Sequence, residues 1–182
     1  MARQSGIGKR RRHDGPIQLA EPDPGWPILF RREESRVRSI LGDRVRLLEH
    51  VGSTSVPGLL AKATIALVLA VADSADESSY LPALGAAGYV LRIREPDWFE
   101  HRLVKGPDTD INLHVFTEGT IEVDQMIAFR DHLRTSPEDL KRYADTKREL
   151  ASRHWKYIQD YADAKSDVVA EIMRRAMLTD PS

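Results

Sequence analysis

The sequence predicts one α+β domain, with a mixed sheet packed against helices and a helical C-terminal third. Strand-like segments are concentrated between residues 45 and 116, and apolar residues then recur with helical spacing from 121 onward. The connections after residue 89 are too short for parallel crossovers, so part of the sheet must be antiparallel. The length of 182 residues, with 41% hydrophobic and 30% charged residues, fits a single compact core.

The first half of the chain predicts three strands and a helix. Residues 17–19 alternate in polarity and predict a short edge strand. Residues 27–41 predict a helix that ends at Gly42, because apolar side chains recur at a spacing of about 3.6. Residues 45–51 and 65–72 predict two strands, and the second is apolar enough to be covered on both faces.

The second half predicts a helix, a meander and three further helices. Ser74 is the expected N-cap of a helix over 74–87, with Glu77 as its capping-box partner. The meander and the C-terminal helices are expected at 89–94, 99–105 and 111–116, and then at 121–134, 137–153 and 158–178.

Composition excludes several classes of protein. The chain has no cysteine, so a disulfide framework, a thiolate nucleophile and a cysteine-built metal site are all excluded. No apolar run approaches the roughly 20 residues of a membrane span, and the first residues lack the apolar stretch of a signal peptide. We therefore expect a cytoplasmic protein with no membrane partner.

Charge divides the chain into a basic tail and an acidic body. Residues 1–16 carry a net charge of +4, which leaves −5 on residues 17–182. The tail is expected to be disordered, and the body to be the single folded domain. An acidic body repels phosphate backbones, so nucleic-acid binding is expected only through residues 1–16.

The loop at 52–58 carries the strongest local signal for function. A Gly-Ser pair directly after a strand leaves backbone N–H groups and hydroxyls available for phosphate oxygens. The loop does not have the spacing of a Walker A motif or of a GxSxG nucleophile elbow. The alternative is an ordinary turn whose hydroxyls bind its own backbone.

Several strings, taken in order, resemble the GrpB family of bacterial proteins. These strings are EHVGSTSVPGL at 49–59, AK at 61–62, NLHV at 112–115 and FRDHLR at 129–134. The family is similar to the polymerase-β type of nucleotidyltransferase. That resemblance implies a nucleotidyltransferase-like sheet, in which the Gly-Ser turn grips a nucleoside triphosphate and carboxylates on the strands bind Mg²⁺. It also implies transferase activity, in which a nucleotidyl or phosphoryl group passes to a small acceptor.

This chain departs from the family pattern at the expected metal site. Where relatives read KPIIDI, residues 62–67 read KATIAL, so Ala66 replaces the expected aspartate. Val68 stands where the superfamily has a second carboxylate. Mg²⁺ is usually held by one or two carboxylates together with phosphates, so these replacements place the metal in doubt.

The remaining polar residues predict an anion-binding cleft. The expected catalytic residues are Ser53, which would position the leaving phosphates, and His114, which would act as an acid, a base or a ligand. The expected substrate-binding residues are Gly52, Ser53, Thr54, Ser55, Lys62, Arg102 and Asn112.

Two of these expectations have structural alternatives. Asp110 and His114 project to one face of a strand and are candidates for a metal pair, although such a pair on a strand is more often a structural hydrogen bond. Arg102 could instead be a cross-strand partner of a carboxylate.

Two functions therefore stay open for the cleft, beside a third class, a nucleic-acid adaptor that would bind through the basic residues 1–16. The first is a protein that binds a nucleotide or another phosphorylated small molecule and transfers a group from it. The second is a catalytically inactive module that binds a nucleotide or a protein, which is favoured by Ala66 and Val68.

Overall fold

A computed structural model describes residues 12–179 of the chain. The strands are β1 (Arg12–Gly15), β2 (Leu47–Val51), β3 (Ile65–Val71), β4 (Val90–Glu95), β5 (His101–Lys105), β6 (Ile111–Thr117) and β7 (Trp155–Tyr157). The helices are α1 (Trp26–Leu41), α2 (Leu81–Ala86), α3 (Ile121–Thr135), α4 (Pro137–Ala151), α5 (Ile158–Asp163) and α6 (Ser166–Thr179). Across this described part, no helix is both long and apolar enough to cross a membrane.

Five strands form the mixed sheet that the sequence predicted, in the order β2-β3-β6-β5-β4. The predicted meander is confirmed, since β4 pairs antiparallel with β5 and β5 pairs antiparallel with β6. Strands β3 and β6 are parallel, and their register places Ala66 beside Asn112 and Val68 beside His114. The α+β class is therefore confirmed.

The two faces of the sheet have different coverings. Leu67 and Leu113 lie on one face and pack with α1 and α2 in the largest apolar cluster. Val68 and Phe116 lie on the other face, in a smaller cluster that includes Val123 of α3. This second face also carries the polar residues of the predicted cleft, because side chains alternate along a strand.

Several predicted elements differ in extent from the structure. Residues 12–15 lie within the predicted tail, yet they form β1 and pair with β7. Ile17 lies in no strand; its side chain packs with the C-terminal helices and its N–H donates to the Ala151 carbonyl. The expected helix at 158–178 is interrupted between α5 and α6. Residues 1–11, which contain most of the predicted basic tail, lie outside the described part.

The helix expected over 74–87 is wrong for its first half. Only Leu81–Ala86 is α-helical, and Pro82 lies in its first turn. Ser74 does not cap it, because the Ser74 hydroxyl contacts the Thr117 hydroxyl and the Glu100 carbonyl. Long-range partners on the sheet therefore override the local capping pattern.

Arg102 lies on the opposite face from the predicted cleft. It pairs with Val115 in the register of β5 and β6, and so points toward the α1 and α2 side. Its guanidinium is buried and contacts Glu77 at 2.5 Å and Glu100 at 3.1 Å. The expectation that Arg102 binds substrate is therefore corrected: it is the partner of two carboxylates.

His50 is also buried on this face, directly before the functional loop. Its ring stacks on Phe30 of α1 with centroids 4.8 Å apart, and its Nε2 lies 2.9 Å from the Thr54 hydroxyl. Burial, reinforced by the positive charges of Arg134 and Arg130, lowers the pKa of His50 to about 4. His50 is therefore neutral in the folded protein at pH 7.

We expect Arg102→Gln to lower the free energy of unfolding by about 1.5–3 kcal/mol, because it removes the hydrogen bonds of a buried, charged guanidinium to Glu77 and Glu100. Arg94→Gln is the matched control, since Arg94 also binds Glu77 but its side chain is 45% exposed. Its loss should cost less than about 1 kcal/mol. Urea unfolding at pH 7 measures both, and equal losses would contradict the assigned burial.

We expect the protein to become less stable as the pH falls from 7 to 5. Between pH 6.5 and 4 the unfolded His50 binds a proton that the folded residue does not, so acid favours unfolding. His50→Gln should remove about 2 kcal/mol of this acid sensitivity. His154→Gln is the control, because its side chain is 68% exposed. Equal acid sensitivity in wild type and His50→Gln would contradict a neutral buried His50.

Candidate functional site

The turn after β2 is shaped by Gly52. Its φ of +71° lies in the left-handed region that favours glycine. A Cβ at this position would lie 3.2 Å from the Cβ of Ala66, so the turn also approaches β3 closely. Residues Ser53–Ser55 then form a single 3-10 turn. Gly52 therefore lets the chain turn tightly over the end of β3.

Side chains from outside the loop hold this turn in place. Arg134 of α3 donates to the Ser55 carbonyl from Nε at 3.0 Å and from Nη2 at 2.7 Å. Thr54 contacts His50, and the hydroxyl of Ser55 donates to the Gly52 carbonyl within the turn. The hydroxyls of Thr54 and Ser55 therefore bind the protein itself. Ser53 lines the cavity beside the turn, and its hydroxyl contacts a side chain of α4.

An open cavity of about 210 Å³ lies beside the turn. Three lysines line it: Lys62, Lys147 and Lys165. Its other polar lining comes from Ser53, Thr54, Thr64, Asn112 and Tyr161, and Ala61 and Ala66 complete it. None of these described lining residues is an aspartate or a glutamate. The described lining therefore carries three basic side chains and no carboxylate, while Asp110, outside the lining, interacts electrostatically with Lys62.

Lys147 is the most buried of these lysines, with 2% of its surface exposed. Its Nζ donates to Ser53 Oγ at 2.7 Å and to the Leu60 carbonyl at 2.6 Å. Burial, together with repulsion from Lys165 and Lys62, lowers the pKa of Lys147 to about 7. Near neutral pH this side chain therefore exchanges between an ammonium and a free amine.

Lys165 and Tyr161 form the opposite wall, at the junction of α5 and α6. The Nζ of Lys165 lies 4.4 Å from the centroid of the Tyr161 ring. Burial and the charge of Lys62 lower the pKa of Lys165 to about 8. The Tyr161 hydroxyl is buried and has no hydrogen-bond partner among the described residues, and burial raises its pKa to about 12. The Tyr161 ring therefore lines the cavity, while its hydroxyl is a buried polar group with an unmet hydrogen bond.

A hydrogen-bonded chain of ionisable groups connects Glu95 through His101 to His114, on the sheet face that carries Asn112. Glu95 Oε2 lies 2.7 Å from His101 Nδ1, and His101 Nε2 lies 3.0 Å from His114 Nδ1. Burial raises the pKa of Glu95 and lowers those of His101 and His114, to about 3 and about 4. Both imidazoles are therefore neutral at pH 7, and the chain orients the His114 ring through one nitrogen.

Among the predicted site residues, Ser53, Thr54, Lys62 and Asn112 line the cavity, and Gly52 adjoins it through Ala66. His114 follows Asn112 on the same face of β6 but does not line the cavity.

Asp110 and His114 have separate partners. Lys105 and Thr64 bind the carboxylate of Asp110, both within hydrogen-bond distance, whereas His114 contacts His101. Four residues of extended chain separate their Cα atoms by about 13 Å. The structure does not bring the two side chains together.

The residues at the expected metal positions supply no ligands for Mg²⁺. Ala66 lines the cavity, and Val68 is fully buried among Val51, Phe116 and Val123. Within residues 12–179, no group of three His, Asp or Glu side chains converges in a way that could hold a metal ion. The donor set at the turn therefore does not fit a carboxylate-bound Mg²⁺.

Sequence reasoning missed Lys147, Tyr161 and Lys165. A signal for Lys147 was present, because it occupies a position in the apolar stripe of α4. That stripe consists of Leu140, Tyr143, Ala144, Leu150 and Ala151. A lysine is almost never fully buried unless it has a partner, so a lysine inside an apolar stripe indicates a specific contact. No comparable local pattern marks Tyr161 or Lys165.

Comparison with known proteins agrees with this architecture. The sequence model of the GrpB protein family matches residues 16–175. A UPF0157 protein of Halalkalibacterium halodurans is 58% identical over 95% of this chain and 89% of its own length. A UPF0157 protein of Streptomyces coelicolor is 46% identical over 88% of this chain and 84% of its own length. The crystal structure of the conserved protein GrpB from Enterococcus faecalis has a TM-score of 0.77 at 26% identity, and the match covers 87% of this chain and 96% of that one. This chain belongs to the GrpB family.

Proposed function

We propose that the protein binds a phosphorylated small molecule, such as the phosphate end of a nucleotide, in the cavity beside the turn at 52–55. One observation carries the proposal: Lys62, Lys147 and Lys165 converge on a cavity whose lining residues include no carboxylate. Burial, and then the repulsion between the lysines, lowers the pKa values of Lys147 and Lys165, and an anion would offset that repulsion.

The neutral donors around the lysines favour a phosphate group in particular. Ser53 offers a hydroxyl and Asn112 an amide NH₂ in the cavity lining, since Lys105 binds only the Asn112 oxygen. A phosphate has three strong acceptor oxygens and can use donors from several directions at once. A cavity of about 210 Å³ would hold the phosphate and a few further atoms, so a larger ligand would extend through the open side.

Binding is proposed to need no metal ion. The charge that Mg²⁺ would neutralise on a phosphate is met here by lysines, and Ala66 offers no ligand. The nucleoside triphosphate with Mg²⁺ implied by the family resemblance is therefore less well supported than a phosphorylated ligand held directly.

Transfer of a nucleotidyl or phosphoryl group is a second candidate. The observation that favours it is the chain from Glu95 through His101 to His114, on the same face of the sheet as Asn112. His114 would be the acid or base of such a step, with Ser53 beside the phosphates. Without this activity, the protein would be a binding module that keeps the turn and lacks the metal chemistry.

We expect inorganic phosphate and phosphate monoesters to raise the melting temperature without added Mg²⁺. Lys165→Met should weaken binding by at least about 10-fold, since a hydrogen bond to a charged group contributes roughly 1.5–3 kcal/mol. Lys141→Met is the control, because that lysine is 78% exposed on α4 and pairs with Asp145. No shift at millimolar phosphate, or equal effects of the two substitutions, would contradict the proposal.

We expect affinity to fall as the pH rises from 7 to 9. Phosphate monoesters are already dianionic in this range, so the change reports the lysines. Lys165, with a pKa of about 8, loses its proton there, and Lys147, with a pKa of about 7, loses what remains of its own. Binding should raise both pKa values and take up protons, which calorimetry in buffers of different ionisation enthalpy measures. Affinity that is independent of pH would contradict the lysine site.

We expect Ala66→Asp to weaken phosphate binding by about 10-fold or more in the absence of metal, because it adds a negative charge to the cavity. Ala63→Asp is the control, since Ala63 is exposed and does not line the cavity. If Mg²⁺ restores affinity only to Ala66→Asp, position 66 is a latent metal position in this fold. If the wild type itself requires Mg²⁺, direct binding by the lysines is contradicted.

A further inference from the structure

We propose that Lys147 is a nucleophile that forms an imine with a small aldehyde or ketone carrying a phosphate group. This inference rests on the proposed phosphate site and adds to it the class of substrate and a covalent step. The sequence motifs did not identify Lys147. Phosphate binding alone does not require its side chain to be neutral.

The hydrogen bonds of Lys147 suit a free amine. A neutral amine has two N–H bonds and one lone pair, and the two acceptors present are Ser53 Oγ and the Leu60 carbonyl. With both N–H bonds directed to these acceptors, the lone pair of Nζ is left for a reacting group. An ammonium in the same place would carry a third proton for which no acceptor is recorded among the described residues.

The surroundings of Lys147 favour the neutral form. Its side chain is buried, and the charged neighbours in the cavity are Lys62 and Lys165. Burial next to other cationic groups is an arrangement by which proteins make a lysine nucleophilic near pH 7, and here it opposes the cation–π contact of Nζ with the Tyr143 ring at 5.4 Å. Consistent with this, the pKa of Lys147 is lowered to about 7, whereas Lys165 stays mostly charged at that pH.

Tyr161 supplies the remaining chemical need. Its ring lines the cavity, and its hydroxyl is buried behind that surface, has no partner among the described residues and keeps its proton at neutral pH. A rotation that brings this phenol to the cavity surface would let it donate a proton to a carbonyl oxygen. Lys62 and Lys165 would hold the phosphate, which leaves the carbonyl to reach Lys147.

The covalent step balances without any oxidant or reductant. The lone pair of Lys147 Nζ attacks the carbonyl carbon, a C–N bond forms, and the carbonyl oxygen takes up a proton. The resulting hydroxyl takes up a second proton, the C–O bond breaks, and the oxygen leaves as water while the C=N bond forms. The two protons that nitrogen loses equal the two that the oxygen gains. The net change is amine plus carbonyl to imine plus water.

The test uses glyceraldehyde 3-phosphate as the probe and cyanoborohydride to reduce the imine to a stable amine. Peptide mapping by mass spectrometry then locates the adduct. At pH 7 the neutral fraction of Lys147 exceeds that of an ordinary lysine by a factor on the order of 10³, so Lys147 should react first. Lys141, on the exposed face of the same helix, is the internal reference in every experiment.

We expect one adduct on Lys147, a labelling rate that rises through about pH 7, and loss of the adduct in Lys147→Arg. Unphosphorylated glyceraldehyde should label Lys147 at least about 10-fold more slowly, and inorganic phosphate should slow labelling of Lys147 but not of Lys141. The phosphate competition uses the wild-type protein, so it stays decisive if Lys147→Arg fails to fold.

Two outcomes would overturn the inference. Labelling spread over surface lysines such as Lys141, with Lys147 unmodified, would exclude a nucleophilic Lys147. Equal labelling by glyceraldehyde with and without phosphate would exclude a phosphorylated substrate for this step. If phosphate raises the melting temperature while Lys147 stays unlabelled, only the imine fails; if phosphate also has no effect, the proposed function fails with it.

Discussion

The buried Nζ of Lys147 joins the C-terminal helices to the functional turn, and the cavity depends on this link. Lys147 lies on α4, yet it donates to Ser53 and to Leu60, which belong to the segment between β2 and β3. A lowering of its pKa from 10.5 to about 7 corresponds to roughly 5 kcal/mol against the charged form. Burying this lysine therefore costs free energy of folding that an apolar side chain in the same place would not cost.

The parts of the fold that follow from local pattern were predictable. The apolar run of β3 and the short turns of the meander identified the strands, and the predicted antiparallel connections were found. The turn at 52–55 was also identifiable, because a glycine and hydroxyl residues directly after a strand have few structural alternatives. Its close approach to Ala66 gives that glycine a steric reason as well as a conformational one.

The parts that depend on register and on distant contacts were not predictable in the same way. A shift of one residue moves a side chain to the opposite face of a sheet, and the pairing of Arg102 with Val115 decides that it faces Glu77 and not the cavity. The failed cap at Ser74 has a similar origin, since Thr117 and Glu100 compete for its hydroxyl. Tyr161 and Lys165 reach the cavity only because α5 packs against β7 and α6 packs against α3 and α4.

Because Ala66 replaces the expected aspartate, the cavity lining has no carboxylate to neutralise the charge of its lysines. With a carboxylate at this position, the lysines would have a counter-charge of their own, and an anionic ligand would need a cation to accompany it. With alanine, two means remain to relieve the repulsion among the lysines: an anion enters, or Lys147 gives up its proton. The first leads to binding and the second to a reactive amine, and both arise from the same three side chains. Because the turn carries no carboxylate, the charge state of Lys147 depends on what occupies the cavity.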